Sequence, residues 1–144
     1  MEMIIFTGIP ASGKSSLYKE LFFNSHIRIS LDLLNTRHKE GKLLQYCFDT
    51  QSQMVIDNTN VSRESRKKYI DLAQRNKYRV VCYYFESDIQ DCLERNKNRK
   101  ESINETGIKA KYKEFEIPIS EEGFDKIIKV KIINNQFEIN DNEV

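Results

Sequence analysis

Short apolar runs alternate with longer amphipathic segments along the 144 residues, the pattern of a parallel sheet with crossover helices rather than of a sandwich or a bundle. Met3 to Thr7 reads as a first strand. From Gly13 to Phe23 the apolar positions Leu17, Leu21 and Phe22 recur at helical spacing, and the alternating Ile27 to Ser30 predicts a short second strand. Lys42 to Ser52 predicts another helix, Met54 to Asp57 a third strand, and Ser62 stands where it can cap a helix running to about Asn76. Arg79 to Phe85 is continuous in β-branched and aromatic residues, as in a parallel strand covered on both faces, and the core is expected to end about there.

The pattern then changes. Asp88 to Lys113 is highly charged, with helical spacing in Ile89, Cys92 and Leu93 but little apolar material after Asn96, which predicts a helix leading into a mobile lid. In Phe115 to Phe124, which holds Pro118, Ser120 is placed to cap a turn of helix. Lys126 to Ile133 alternates as a last strand. Asn134-Asn135 reads as a turn, so that Val130 and Ile132 with Phe137 and Ile139 predict a small terminal hairpin.

Composition narrows the function classes. The 23 Lys+Arg against 22 Asp+Glu leave a near-neutral field, so a nucleic-acid partner needs a local patch and no membrane partner is expected. Cys47, Cys82 and Cys92 show no disulfide or zinc spacing, and MEMIIF carries no basic leader, so a soluble chain in a reducing cytoplasm is expected.

The chemistry starts at Gly8-Ile9-Pro10-Ala11-Ser12-Gly13-Lys14-Ser15, followed by Ser16, which fits G-x-x-x-x-G-K-[ST] between a predicted strand and a predicted helix. Glycines let the backbone wrap tightly and turn its N–H groups toward phosphate oxygens, and the following helix adds its positive end. Lys14 supplies charge to the β- and γ-phosphates of ATP, and Ser15 a hydroxyl ligand for Mg²⁺. The expected fold is a single α/β P-loop NTPase domain over residues 1–144, its parallel sheet in the order 2-3-1-4-5, with the charged lid over about 88–113.

A P-loop alone does not choose among kinase, ATPase and switch. Asp32 follows the second strand, at the carboxyl edge of the sheet, where a carboxylate can take the proton of an acceptor hydroxyl; capping of the LDLLN turn is the plain alternative. Asp57 ends the third strand at the position of a Walker B carboxylate, holding Mg²⁺ through water or fixing Ser15, with Asn58, Thr59 and Asn60 after it as short polar donors or turn formers. Arg66, among the cations opening the next helix, could grip a polyanion, while Lys67 and Lys68 fit a solvated face equally well. Arg95 and Arg99, four apart, could close over the triphosphate or form a charged helix surface.

These elements together resemble the kinase domain of polynucleotide 5′-hydroxyl kinases, including the kinase half of polynucleotide kinase-phosphatases. The resemblance rests on GIPASGKS at Gly8 to Ser15, Asp32, VIDNTN at Val55 to Asn60 with Arg66 beyond it, ERNKNR at Glu94 to Arg99, and YKEFEIPISEEGF at Tyr112 to Phe124. It implies ATP-Mg²⁺ held by the P-loop, Asp32 as general base, Arg99 as the lid clamp supported by Arg95, and Asp57, Asn60 and Arg66 beside a 5′-OH RNA or DNA acceptor. Asn35 stands where some members carry an arginine that contacts an acceptor phosphate, and no D-x-D-x-T phosphatase motif is present, so kinase activity alone is expected. Two rivals stay open: a kinase for a small hydroxyl acceptor such as a nucleoside or sugar, and an ATP-dependent switch or binding module.

Overall fold

The computed structural model describes residues 1–100 and 102–141; Glu101, within the expected lid, and residues 142–144, at the end of the expected domain, lie outside the described residues. Strand β1 (Glu2–Thr7) is central because nearly every side chain in it is apolar and both its faces are covered. Beside it run β3 (Met54–Ile56) and β4 (Arg79–Phe85), with β2 (Ile27–Ile29) outside β3 and β5 (Lys126–Ile133) outside β4, all parallel. The sheet follows the expected 2-3-1-4-5 order but does not stop there. Strand β6 (Gln136–Asn140) pairs antiparallel with β5, giving a mixed six-stranded sheet in the order β2-β3-β1-β4-β5-β6. Asn134 and Asn135 both take positive φ, and the hairpin sets Val130 opposite Ile139 and Ile132 opposite Phe137.

Alternate residues of the strands feed two cores. On one face Met3, Ile5, Met54, Ile56, Val80 and Cys82 pack under α3 (Arg37–Asp49) and α4 (Arg63–Arg75). On the other, Ile4, Phe6, Val55, Val81 and Phe85 meet Leu17, Tyr18 and Phe22. Ile127, Ile128 and Val130 of β5 join these clusters, so the core continues well past Phe85. The cysteines Cys47, Cys82 and Cys92 are free and buried. Among the described residues no helix is long and apolar enough to cross a membrane.

Several boundaries differ from expectation, each for a local reason. The helix after the P-loop is α-helical only over Lys14–Leu17 (α1) and continues as a π-helix over Tyr18–Phe22. The wider turn brings Leu17 and Phe22, five apart, onto the sheet and leaves Leu21 45% exposed. Ser30 leaves β2 to precede a short helix α2 (Leu31–Leu34). Helix α3 begins at Arg37, five residues before the expected Lys42, because the Thr36 hydroxyl accepts the Lys39 N–H as an N-cap. Ser120 starts a 3-10 turn rather than capping it; the Glu122 carboxylate accepts the Ile119 N–H instead.

The lid is built as two helices, α5 (Ile89–Lys97) and α6 (Glu105–Glu114). It has an apolar foot: Ile108 of α6 is fully buried against Ile9, Cys92 and Leu93. The buried Asn96 amide donates to Ile103 O at 2.7 Å and accepts the Ile103 N–H at 2.9 Å, which ties the connecting segment to α5.

Candidate active site

Two backbone contacts set the P-loop. Gly8 N–H donates to Thr59 O at 3.0 Å, and a side chain at Gly8 would meet Ser12 Oγ at 2.7 Å and Phe85 Cβ at 2.8 Å. Gly13 has φ +97°, a left-handed conformation that any other residue adopts only with strain. Ala11 is also left-handed, at φ 65°, and Arg95 Nε holds its carbonyl at 2.8 Å. The loop opens into a cleft of about 640 Å³ that it shares with Asp32, Asp57, Asn58, Thr59, Arg95 and Arg99.

Lys14 folds back over the loop, its Nζ donating to Gly8 O at 3.1 Å and Ile9 O at 2.9 Å. Burial lowers its ammonium to about 8, Arg99 pushing the same way and Asp57, Cys92 and Asp32 opposing. A polyphosphate seated on the loop favours the protonated form, so the complex holds that proton to higher pH than the free chain. ADP affinity is therefore expected to be full below about pH 8 and to weaken as the pH rises through that value. Calorimetry at about pH 8.5 in two buffers of different ionisation enthalpy reads this directly. Proton uptake on binding is the expected result; no uptake contradicts it.

Ser15 Oγ and Asp57 Oδ2 lie 3.3 Å apart. A hydroxyl and one carboxylate are hard oxygen donors, and no cluster of three or more metal-ligating side chains stands among the described residues. That donor set fits Mg²⁺, which takes one or two protein oxygens and completes its shell with water and substrate phosphates. It does not fit a fully protein-held ion. Both groups already serve a cation here: Arg28 Nε donates to Asp57 Oδ2 at 2.7 Å and Arg28 Nη2 to Ser15 Oγ at 3.0 Å.

Asp32, in the single turn of α2, is exposed to the cleft, and its carboxylate has no hydrogen bond or ion pair among the described residues. Its helix is fixed from behind. Leu31 N–H donates to Asn58 Oδ1 at 2.9 Å, and Asn58 Nδ2 in turn donates to Glu40 Oε2 at 3.3 Å and Tyr69 OH at 3.2 Å. Burial raises the Glu40 carboxyl, but hydrogen bonds from Tyr69, Arg37 and Lys68 outweigh it and hold the group below its ordinary value. Burial, with Glu40 adding to it, pushes the Tyr69 hydroxyl up to about 12. Asn58 thus hangs from a buried network that joins α3, α4 and α2.

Three expected acceptor residues lie elsewhere. Arg66 is completely buried, its guanidinium forked onto Glu122 at 2.9 and 3.0 Å and donating to Asn60 O at 2.9 Å. It is a strut between α4 and the Ser120–Glu122 turn, with no surface to offer a ligand. Asn60 is buried too, its amide donating to Phe6 O at 2.8 Å. Asn35, left-handed at φ 69°, ends α2 and is exposed beside Asp32 rather than lining the cleft. The two lid arginines also part company. Arg95 is engaged with Ala11 O and Cys92 Sγ, whereas Arg99 lies beyond the end of α5 with its guanidinium unpartnered among the described residues, at the cleft.

The family described as AAA domain matches residues 35–116, more than half of the 144 residues. The chain belongs to that family. It is 30% identical over 135 residues to a bifunctional polynucleotide phosphatase/kinase of Schizosaccharomyces pombe, covering 90% of this chain and 33% of that protein. This AAA domain chain thus spans about a third of that relative's length. It is also 24% identical over 170 residues to an L-seryl-tRNA(Sec) kinase of Methanococcus maripaludis, covering 98% of this chain and 67% of that protein. Its fold is that of Chaetomium thermophilum Kti12, solved with ADP-AlF3, at a TM-score of 0.71 and 14% identity over 90% of this chain and 88% of that one.

Proposed function

We propose that this chain is an ATP- and Mg²⁺-dependent kinase that moves the γ-phosphate of ATP to the 5′-hydroxyl of an RNA or DNA end. The observation that carries the proposal is the unpaired Asp32 carboxylate, which lines the same cleft as Lys14, Ser15 and Arg99. A hydroxyl lying between Asp32 and the P-loop gives its proton to the carboxylate as its oxygen bonds to the γ-phosphorus. The bond from that phosphorus to the bridging oxygen breaks, and ADP leaves. Lys14 and the loop N–H groups hold the phosphates. Mg²⁺, reached by Ser15 and Asp57, supplies charge neutralisation on them. Arg99 is free to swing over the transferring group, and the lid helices that flank it are anchored to the P-loop through Ile108 and Ile9.

Arg99→Ala is accordingly expected to lower kcat by about 10³-fold or more, the loss associated with a finger-type arginine. Initial rates at saturating ATP measure it. A change of only a few-fold makes Arg99 a solvated surface residue.

The polynucleotide acceptor is supported by the name of the S. pombe relative and by the ordered motifs from Gly8 to Phe124. One set of observations favours a smaller hydroxyl acceptor: Arg66 and Asn60 are buried, and Asn35 carries no charge. An acceptor competition separates the two. With ATP-Mg²⁺ and equimolar 5′-OH oligonucleotide, nucleoside and gluconate, the oligonucleotide is expected to take most of the phosphate. Phosphate found on a small acceptor instead overturns the polynucleotide reading while keeping the kinase.

A further inference from the structure

We infer that Arg28 is a built-in stand-in for the metal: its guanidinium fills the cation subsite of the nucleotide-free chain and is displaced by the Mg²⁺ that arrives with ATP. The inference rests on the nucleotide reading above and adds a gate to that site.

The geometry starts with Asp57, whose side chain is only 2% exposed. A carboxylate so far from water is costly to bury without a positive partner. Lys14 is turned onto the carbonyls of Gly8 and Ile9 and makes no hydrogen bond to Asp57. Arg28 takes the role. It lies on the edge strand β2, opposite Val55 of β3, so its side chain shares the face on which Asp57 emerges two residues later. Two of its nitrogens reach the two side chains proposed to serve the metal, at 2.7 Å to Asp57 Oδ2 and 3.0 Å to Ser15 Oγ.

Arginine and metal cannot both keep those contacts. Mg²⁺ requires oxygens at about 2.0–2.1 Å in near-octahedral arrangement, and the guanidinium N–H groups point into the lone pairs and the space it needs. Two cations on one shielded carboxylate also repel. Arg28 has a way out: its side chain is 24% exposed, it sits on the outermost strand, and the Tyr18 ring lies 5.9 Å from its guanidinium carbon. The pair therefore holds Asp57 in position without metal, and sets a threshold that free Mg²⁺ must exceed. A nucleotide carrying its own ion crosses that threshold because phosphates add further ligands.

The test is ADP binding, by calorimetry, titrated against free Mg²⁺ for the whole chain and two variants. Arg28→Met removes the competing charge and is expected to lower the Mg²⁺ concentration for half-maximal ADP binding about tenfold, equivalent to about 1.4 kcal/mol. Arg28→Lys, which reaches one oxygen instead of two, is expected to lower it a few-fold, and it decides the matter if Arg28→Met does not fold. In EDTA both variants should melt below the wild type, and excess Mg-ADP should erase that deficit, which a purely structural arginine would not allow. An unchanged or raised half-point in a folded variant overturns the inference while leaving nucleotide binding intact. Absence of Mg²⁺-dependent ADP binding by the wild type sinks the nucleotide reading and the inference together.

Discussion

Asp32→Ala is expected to lower phosphoryl transfer by about 10²–10⁴-fold, the range associated with a positioned general base, while ADP affinity stays within about twofold of wild type. The separation follows from place. Asp32 belongs to α2, on the sheet's carboxyl edge, while the proposed phosphate contacts come from Lys14 and the loop backbone. Because the carboxylate bonds to no other described side chain, its removal leaves no orphaned partner and no reason for the fold to suffer. Transfer rate, ADP calorimetry and a melting curve together check the prediction. Transfer near the wild-type rate removes Asp32 from the chemistry and leaves it as a turn residue.

Arg66→Ala is expected to fail in the opposite way, through stability. Its guanidinium holds both oxygens of Glu122 and the Asn60 carbonyl in a site closed to water. Removing one partner of such a buried pair costs about 3–5 kcal/mol because the other charge is left without compensation. For a domain of this length that corresponds to a fall in Tm of about 10 °C or more. Thermal unfolding reads it. A variant that melts like the wild type but shows a raised KM for the acceptor restores Arg66 to the acceptor side.

The Arg66 contrast shows what could be read in the sequence and what could not. The cations of the ESRKK segment look alike as composition. Yet Arg66, Tyr69, Ile70 and Ala73 recur at helical spacing, and all four are buried; the period already marked Arg66 as inward-facing, whereas its charge argued otherwise. The same conflict hid the start of α3, where Glu40 is a charged residue on the buried stripe with Leu44, Cys47 and Phe48. Its partner Arg37 stands one turn earlier on the same helix, but Tyr69, Asn58 and Lys68 come from distant positions that no local spacing announces.

The parallel core of the sheet was legible because β1, β3 and β4 are largely apolar on both faces, and the hairpin because Asn134-Asn135 separates two alternating runs. The P-loop was legible for a different reason: its chemistry is contiguous. Arg28 left one faint signal, a lone charge inside an apolar strand next to the strand that leads into Asp57. After Asn96 the segment is held by Ile108, packed on Ile9, Cys92 and Leu93, and by the Asn96 amide, too little to show in a charged segment. The π turn after Leu17 is set by packing against the sheet, which sequence periodicity at 3.6 residues cannot express.

The central claim is that this cleft transfers phosphate to an acceptor rather than to water, and the destination of the γ-phosphate tests it most directly. The chain is incubated with γ-labelled ATP, Mg²⁺ and a 5′-OH oligonucleotide, with the Asp32→Ala variant alongside, and labelled species are separated over time. The predicted result is label at the 5′ end of the oligonucleotide with the wild type and almost none with the variant. Label recovered only as free phosphate, at equal rates with and without oligonucleotide, contradicts the account.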